Sequence, residues 1–315
     1  MTAPRVVVAG SLREAGLAPL RERYDVDVVG DGAPRETVLE RVAGARAIVA
    51  RPGIPVDEAL LDAAGSELAV VSNFGVGYDN VDLDAARRRG LRVTNTPGVL
   101  SAATAELAVT LMLAAGRRVA EGDAIVRADR WPGLGRDEFL GRSLVGATVG
   151  LIGFGRIGQT VAELLRGFDA RIVYADVAEV QTELEAQRLE LDELLAVADF
   201  VSVHVAYTEE ARHLIGARTL GLMKPGAILV NTSRGAVVDT DALIAALRDG
   251  PLAAAGLDVF EGEPDVPAAL RELPNTVLLP HIGSATAATR DAMARLAADN
   301  VIAVLEGREP PTPVV

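Results

Sequence analysis

Short apolar runs alternate with amphipathic segments along the first hundred residues. RVVVAG at 5–10 precedes LREAGLAPLRERY, AIVARP at 47–52 precedes VDEALLDAAG, LAVVSNF at 68–74 precedes VDLDAARRRG, and LRVTN follows at 91–95. Strand and helix in alternation need crossover connections, which predicts a parallel sheet with helices over its faces. Pro97-Gly98 interrupts the pattern and predicts a linker at 96–99. The helix expected next, over about 101–117, is apolar on more than one face. Such a helix must pack against something large, and a partner subunit is one candidate.

A second series opens with GATVGLIGFG at 146–155 and an expected helix over 156–166. It continues through ARIVYAD (170–176), FVSVHV (200–205), AILVNTS (227–233), AAAGLDV (253–259) and TVLLP (276–280). Continuous apolar runs bounded by turn signals are the pattern of strands buried on both faces. A last amphipathic helix is expected over about 285–306, placed to pack back onto the first domain. The chain is therefore expected to form two doubly wound parallel-sheet α/β domains. Residues 1–98 with 286–315 make the first, and residues 99–285 are inserted in it as the second.

Composition narrows the function. Half of the 315 residues are apolar, ample for two cores. The most apolar window, LAVTLMLAAG at 107–116, lies between Glu106 and Arg117 and is too short for a membrane span. The first residues lack the apolar core of a signal peptide, so the expected location is cytoplasmic. With no cysteine, thiolate metal sites and cysteine nucleophiles are excluded. His204, His213 and His281 show no paired ligand spacing, so no metal is expected. The net charge of −13 argues against nucleic acid and anionic lipid. An anionic substrate would have to be attracted by a few local arginines.

Gly153-Phe154-Gly155-Arg156-Ile157-Gly158 is a G-x-G-x-x-G between an expected strand and an expected helix. Such a loop allows a tight turn, close approach of backbone to a pyrophosphate, and a helix N-terminus presenting N–H groups to it. The next strand ends in Asp176, where a carboxylate can take the adenosine ribose hydroxyls. Together these predict a Rossmann-type NAD domain, with NADH preferred over NADPH because a carboxylate repels a 2′-phosphate. The plainer alternative is a glycine turn with Asp176 on the surface.

Three later strand ends carry Arg234 (NTSRGAVVD), Asp258 and Glu263 (GLDVFEGEP) and His281 (VLLPHIGSAT). Ligands of open parallel sheets bind beyond the strands' carboxyl ends, so these residues should meet at the reactive end of a dinucleotide. Each alone has an ordinary reading: a solvated arginine, a loop acid, a turn cap, a histidine satisfied by backbone. In NFGVGYD, the backbone N–H groups of Val76 and Gly77 could bind a carboxylate, or the segment is a glycine-rich turn. Arg51 ends AIVARP as a second cation or a solvated one. Trp131, the sole tryptophan, is a packing residue or a wall of the site lent by a partner subunit.

GFGRIG, NTSRGAVVD, GLDVFEGEP and LLPHIGSAT, with NFGVGYDNVDL and NTPGVLSAATAELA upstream, resemble the D-isomer-specific 2-hydroxyacid dehydrogenases in order and spacing. The glyoxylate/hydroxypyruvate reductase type is the most similar. The resemblance implies a flavodoxin-like substrate domain around the Rossmann domain, a homodimer, and NAD(H)-dependent reduction of a small anionic 2-keto acid to the D-2-hydroxy acid. His281 would be the proton donor, Glu263 its partner favouring the imidazolium, and Arg234 the clamp on the substrate carboxylate and carbonyl. Asp258 would hold the nicotinamide carboxamide, with Thr232 and Thr104 also at the cofactor and Val76, Gly77 and Arg51 at the substrate. The family's His-x-Pro-Leu is His204-Val205-Ala206-Tyr207 here, so Tyr207 is expected to reshape that loop. Phosphoglycerate-type and phosphite dehydrogenases, and non-catalytic NAD(H)-sensing corepressors, share these residues and remain alternatives.

Overall fold

The computed structural model describes residues 3–133, 135 and 139–315. Its contacts divide the chain into two compact units, Met1–Leu100 with Ser284–Val315, and Ser101–Gly283. Among the described residues, every strand lies in one of two sheets whose paired strands all run parallel.

In the first unit, β1 (Arg5–Ala9), β2 (Asp25–Val28), β3 (Ala47–Ala50), β4 (Val70–Asn73) and β5 (Arg92–Thr94) form a sheet of order β2-β1-β3-β4-β5. The central strands β3 and β4 are buried at every position, β3 as an unbroken apolar run and β4 with Ser72 and Asn73 buried after Val70 and Val71. β2 is the edge strand DVDV. It alternates charge with valine and so lacks the apolar run that marks its neighbours. The last helix, Ala287–Leu305, belongs to this unit and buries Met293, Ala294, Ala297, Ala298 and Val301. It comes so close to the helix Glu14–Arg21 that a Cβ on Gly16 would stand 2.4 Å from the Ala294 carbonyl oxygen. Ser72 of β4 donates to the Ala297 carbonyl at 3.1 Å.

The second unit holds β6 (Thr148–Ile152), β7 (Arg171–Ala175), β8 (Ala186–Arg188), β9 (Phe200–Val203), β10 (Ala227–Asn231), β11 (Leu252–Leu257) and β12 (Thr276–Leu278), in the order β12-β11-β10-β9-β6-β7-β8. Alternate side chains of each central strand enter different cores. Val201, Val203 and Leu229 pack on one side, whereas Phe200, Ile228 and Val230 pack on the other. This two-sided burial is why the sequence shows continuous apolar runs there. The helix Ser101–Gly116 gives Ala105, Ala108, Leu111 and Met112 to the second of these cores. Its apolar character is thus used mainly within its own unit, and Leu111 lies so close to β11 that a Cβ on Gly256 would be 2.9 Å from its Cβ. Beyond it, Val119, Val126 and Trp131 are exposed, Trp131 by 57%.

Candidate active site

The glycine loop follows β6. Gly153 has φ +90, and a Cβ there would lie 2.8 Å from the His204 carbonyl carbon and the Val205 nitrogen. A Cβ on Gly158 would lie 2.4 Å from the Gly153 carbonyl oxygen, whereas Gly155 faces open space. The first and third glycines are therefore required by the fold, and the second leaves room for a ligand. The helix Arg156–Leu165 starts at Gly155 with no side-chain cap, so its first N–H groups are available to an anion. Asp176, just past β7, accepts from Phe154 N–H at 2.7 Å through one carboxylate oxygen. That bond fastens the loop, and among the described residues the other oxygen accepts from Ala178 N–H at 3.3 Å.

This crevice lies at the switch between β6 and β9, where the sheet order reverses. Two polar groups beside it lack hydrogen-bond partners among the described residues: both ring nitrogens of His204, which follows β9, and Thr232 Oγ1, which follows β10. Burial alone pushes the His204 imidazole down to a pKa of about 4 and keeps it neutral. An open middle glycine, an uncapped helix start and orphaned polar atoms fit a bound dinucleotide. His204 stood outside the sequence-derived set, because nothing in HVAY announces that its ring is buried without a partner. Tyr207 packs against the core and its hydroxyl donates to Glu209 at 3.3 Å.

Farther along the same edge of the sheet, beyond β11 and β12, Glu263 Oε1 and His281 Nδ1 are 2.6 Å apart. Glu263 Oε2 also accepts from Phe260 N–H at 3.1 Å. Burial pushes the Glu263 carboxyl up, but the hydrogen bond and charge of His281, with that N–H and the Arg234 charge, leave it below its ordinary value. His281 has φ +55, a conformation few non-glycine residues adopt. It is held there by Asp258. The Asp258 carbonyl accepts from His281 N–H at 2.9 Å, and its carboxylate oxygens accept from Ile282 and Gly283 N–H, each at 2.7 Å. Asp258 is 1% exposed; burial raises its pKa despite these two donors. The carboxamide contact expected of Asp258 would thus be added to a clamp already in place. A Cβ on Gly283 would sit 3.2 Å from that carboxylate and 3.5 Å from the Thr104 methyl, which brings Thr104 to the same loop.

Arg234 follows β10 in the loop NTSRG. Asn231 folds this loop, accepting from Ser233 N–H at 3.0 Å and donating to the Arg234 carbonyl at 2.9 Å. Gly235, absent from the sequence-derived set, lets this loop meet the next, since a Cβ there would fall 1.8 Å from the Phe260 carbonyl carbon. The second unit therefore gathers Arg234, Glu263, His281, Asp258 and Thr232 on adjoining strand ends, with Thr104 reaching the same place from the helix Ser101–Gly116. Arg51, Val76 and Gly77 belong to the first unit. There the carbonyls of Val76 and Gly77 are taken by the Asn95 and Asn73 amides at 2.8 and 2.6 Å. Arg51 pairs with Asp31. Among the described residues, no cluster of three or more His, Asp or Glu could hold a metal, and no helix is long and apolar enough to cross a membrane.

An imidazole backed by a carboxylate, beside an arginine and a dinucleotide crevice, can exchange a proton with a substrate held by its own carboxylate. Comparison with known proteins points the same way. Residues 109–283 match the model of the D-isomer specific 2-hydroxyacid dehydrogenase, NAD binding domain. The chain is 45% identical to the glyoxylate reductase of Thermococcus litoralis over 317 residues, which covers 98% of this chain and 96% of that one. The crystal structure of a glyoxylate reductase from Paecilomyes thermophila superposes with TM-score 0.90 at 34% identity, covering 100% and 99% of the two chains. An NADPH-dependent glyoxylate/hydroxypyruvate reductase from Sinorhizobium meliloti, in complex with NADP and malonate, gives 0.88 at 36% identity, covering 100% and 97%.

Proposed function

The chain belongs to the D-isomer-specific 2-hydroxyacid dehydrogenase family of NAD(P)-dependent oxidoreductases, and from that membership we propose that it reduces glyoxylate or hydroxypyruvate with NADH, using His281 as general acid. The observation that carries this reading is the 2.6 Å bond between His281 Nδ1 and Glu263 Oε1 on the strand ends that also bear Arg234. The name and identity of the archaeal relative support the substrate class.

The nicotinamide, when bound, supplies the hydride. Arg234 binds the substrate carboxylate and carbonyl through its planar fork, setting the position and polarising the bond. Glu263 accepts Nδ1–H, which leaves His281 Nε2–H to point its proton at the carbonyl oxygen. As that oxygen gains negative charge, His281 gives up the Nε2 proton and becomes neutral, and Glu263 keeps the ring oriented throughout. Asp258 fixes the backbone on which the ring is mounted. In the oxidative direction the same imidazole takes the proton back. In the first unit, Val76 and Gly77 have carbonyls tied down and N–H groups that donate to no other described residue, which supports a carboxylate contact there.

NADH preference rests on the Asp176 carboxylate at the end of β7, which repels a 2′-phosphate. A homodimer is supported by the exposed Val119, Val126 and Trp131; light scattering after gel filtration reads its mass. Activity is tested by following NADH absorbance with glyoxylate, hydroxypyruvate, pyruvate, phenylpyruvate and 3-phosphohydroxypyruvate. His281→Ala and Arg234→Ala should each lower turnover by about 10²-fold or more while NADH affinity survives. Equal loss of NADH affinity in both variants sinks the assignment. Tight NADH binding without oxidation by any keto acid turns the reading toward a sensor.

A further inference from the structure

The five-stranded unit has a site of its own. Its strand order reverses between β1 and β3, and ligands of open parallel sheets lodge beyond the carboxyl ends of the strands at such a point. There a cavity of about 350 Å³ is lined by Ser11 and Arg13 after β1, Asp31 after β2, Arg51 after β3, Phe74 after β4, and Arg290 of the helix Ala287–Leu305. That volume suits a small molecule, since ligand pockets run from about 300 to 1,000 Å³.

The chain carries −13 overall, yet three arginines line this cavity against two carboxylates, Asp31 in the lining and Asp291 beside it. These arginines are held in place. Arg51 pairs with Asp31, which also accepts from Ser11 N–H at 3.1 Å, and Arg13 pairs with Asp291. The Arg290 guanidinium lies over the Phe74 ring, 5.9 Å from its centre. Gly10 has φ +112, and a Cβ there would stand 2.6 Å from Arg51 Cδ, so glycine leaves the room that Arg51 occupies. Arginines held along one cavity wall suit the oxygens of phosphate and carboxylate, which guanidinium groups bind in pairs of charge-assisted bonds.

We propose that this cavity is an anion subsite for a phosphate or second carboxylate, formed by Arg13, Arg51 and Arg290. Two sources share that chemistry: the far end of a 2-keto acid bearing a second anionic group, and a free anion such as inorganic phosphate. The first source rests on the reductase reading above, whereas the subsite itself does not.

The test uses the full-length protein, wild type and with Arg13→Gln, Arg290→Gln or Arg290→Lys, each checked for folding by circular dichroism and NADH affinity. Inorganic phosphate is titrated calorimetrically at constant ionic strength, and kcat/KM is measured for 3-phosphohydroxypyruvate and for glyoxylate. The expected result is saturable phosphate binding by the wild type, weakened about ten- to hundredfold in the glutamine variants and less in Arg290→Lys, the loss typical of a charged hydrogen bond. If the phosphohydroxypyruvate-to-glyoxylate ratio of kcat/KM also falls at least about tenfold, the source is the substrate. An unchanged ratio beside lost phosphate binding assigns the subsite to a free anion. Folded variants that bind phosphate as the wild type does, or a wild type that binds none and shows no change of ratio in its variants, overturn the proposal. A wild type that reduces no keto acid refutes the reductase reading instead, and the phosphate titration still decides the subsite.

Discussion

His204 offers a sharp test of how this fold treats polar groups at the dinucleotide crevice. Its two ring nitrogens are buried without partners among the described residues, and burial takes its pKa from 6.5 to about 4. Because the folded value lies below the unfolded one, the neutral ring favours the native state at high pH. Between pH 6.5 and 4 the unfolded chain binds the extra proton, so stability is lost progressively as pH falls through that window. At about 1.36 kcal/mol per pH unit, the whole effect is worth about 3 kcal/mol, of which about 2 kcal/mol falls between pH 7 and 4.5. His204→Leu removes the titrating group while keeping an apolar side chain in the same place. Urea unfolding of the cofactor-free protein and the variant at both pH values isolates the effect, since the acid groups common to both cancel. The variant should lose about 2 kcal/mol less than the wild type on acidification. Parallel losses in the two proteins would falsify the claim that His204 is buried neutral without a partner.

Two further perturbations test the cofactor crevice. Gly158→Ala places a methyl group against the Gly153 carbonyl, 2.4 Å away, so the helix or the loop must shift; a cost of about 1–3 kcal/mol is expected, with weaker NADH binding by fluorescence titration. A Gly158→Ala protein with unaltered stability and NADH affinity contradicts the close packing of loop on helix. Asp176→Ala removes both the carboxylate proposed to accept from the ribose and the tie to Phe154 N–H, so the NADH-to-NADPH ratio of kcat/KM should fall about tenfold or more; an unchanged ratio shows that discrimination resides elsewhere.

What the sequence revealed, and what it concealed, follows from the kind of group involved. The glycine loop was legible because Gly153 and Gly158 occupy positions where any Cβ collides with backbone, so residue type itself is the signal. Arg234, Glu263 and His281 were legible because unusual side chains at successive strand ends have one common place to go. The edge strands β2 and β8 were not, since DVDV and AQR lack the two-sided burial that writes an apolar run. Gly235 was missed because its need appears only when two loops separated in sequence are packed together. The cavity arginines come from positions 13, 51 and 290, and no spacing rule joins a loop after the first strand to a turn of the last helix.

The Asp258 clamp belongs to the same hidden class and bears most directly on the proton transfer proposed for His281. Its partners are the N–H groups of residues 281, 282 and 283, which every non-proline residue carries, so a sequence offers nothing to pair it with. Yet these bonds hold His281 at φ +55, a conformation that costs about 1–3 kcal/mol and persists only when its surroundings fix it. Bonds from two backbone N–H groups to a buried carboxylate, each worth about 1.5–3 kcal/mol, are of the size needed to offset that cost. The Glu263 bond then has only the ring left to orient. Backbone position and ring orientation are thus set by different acids, Asp258 after β11 and Glu263 in the loop beyond it.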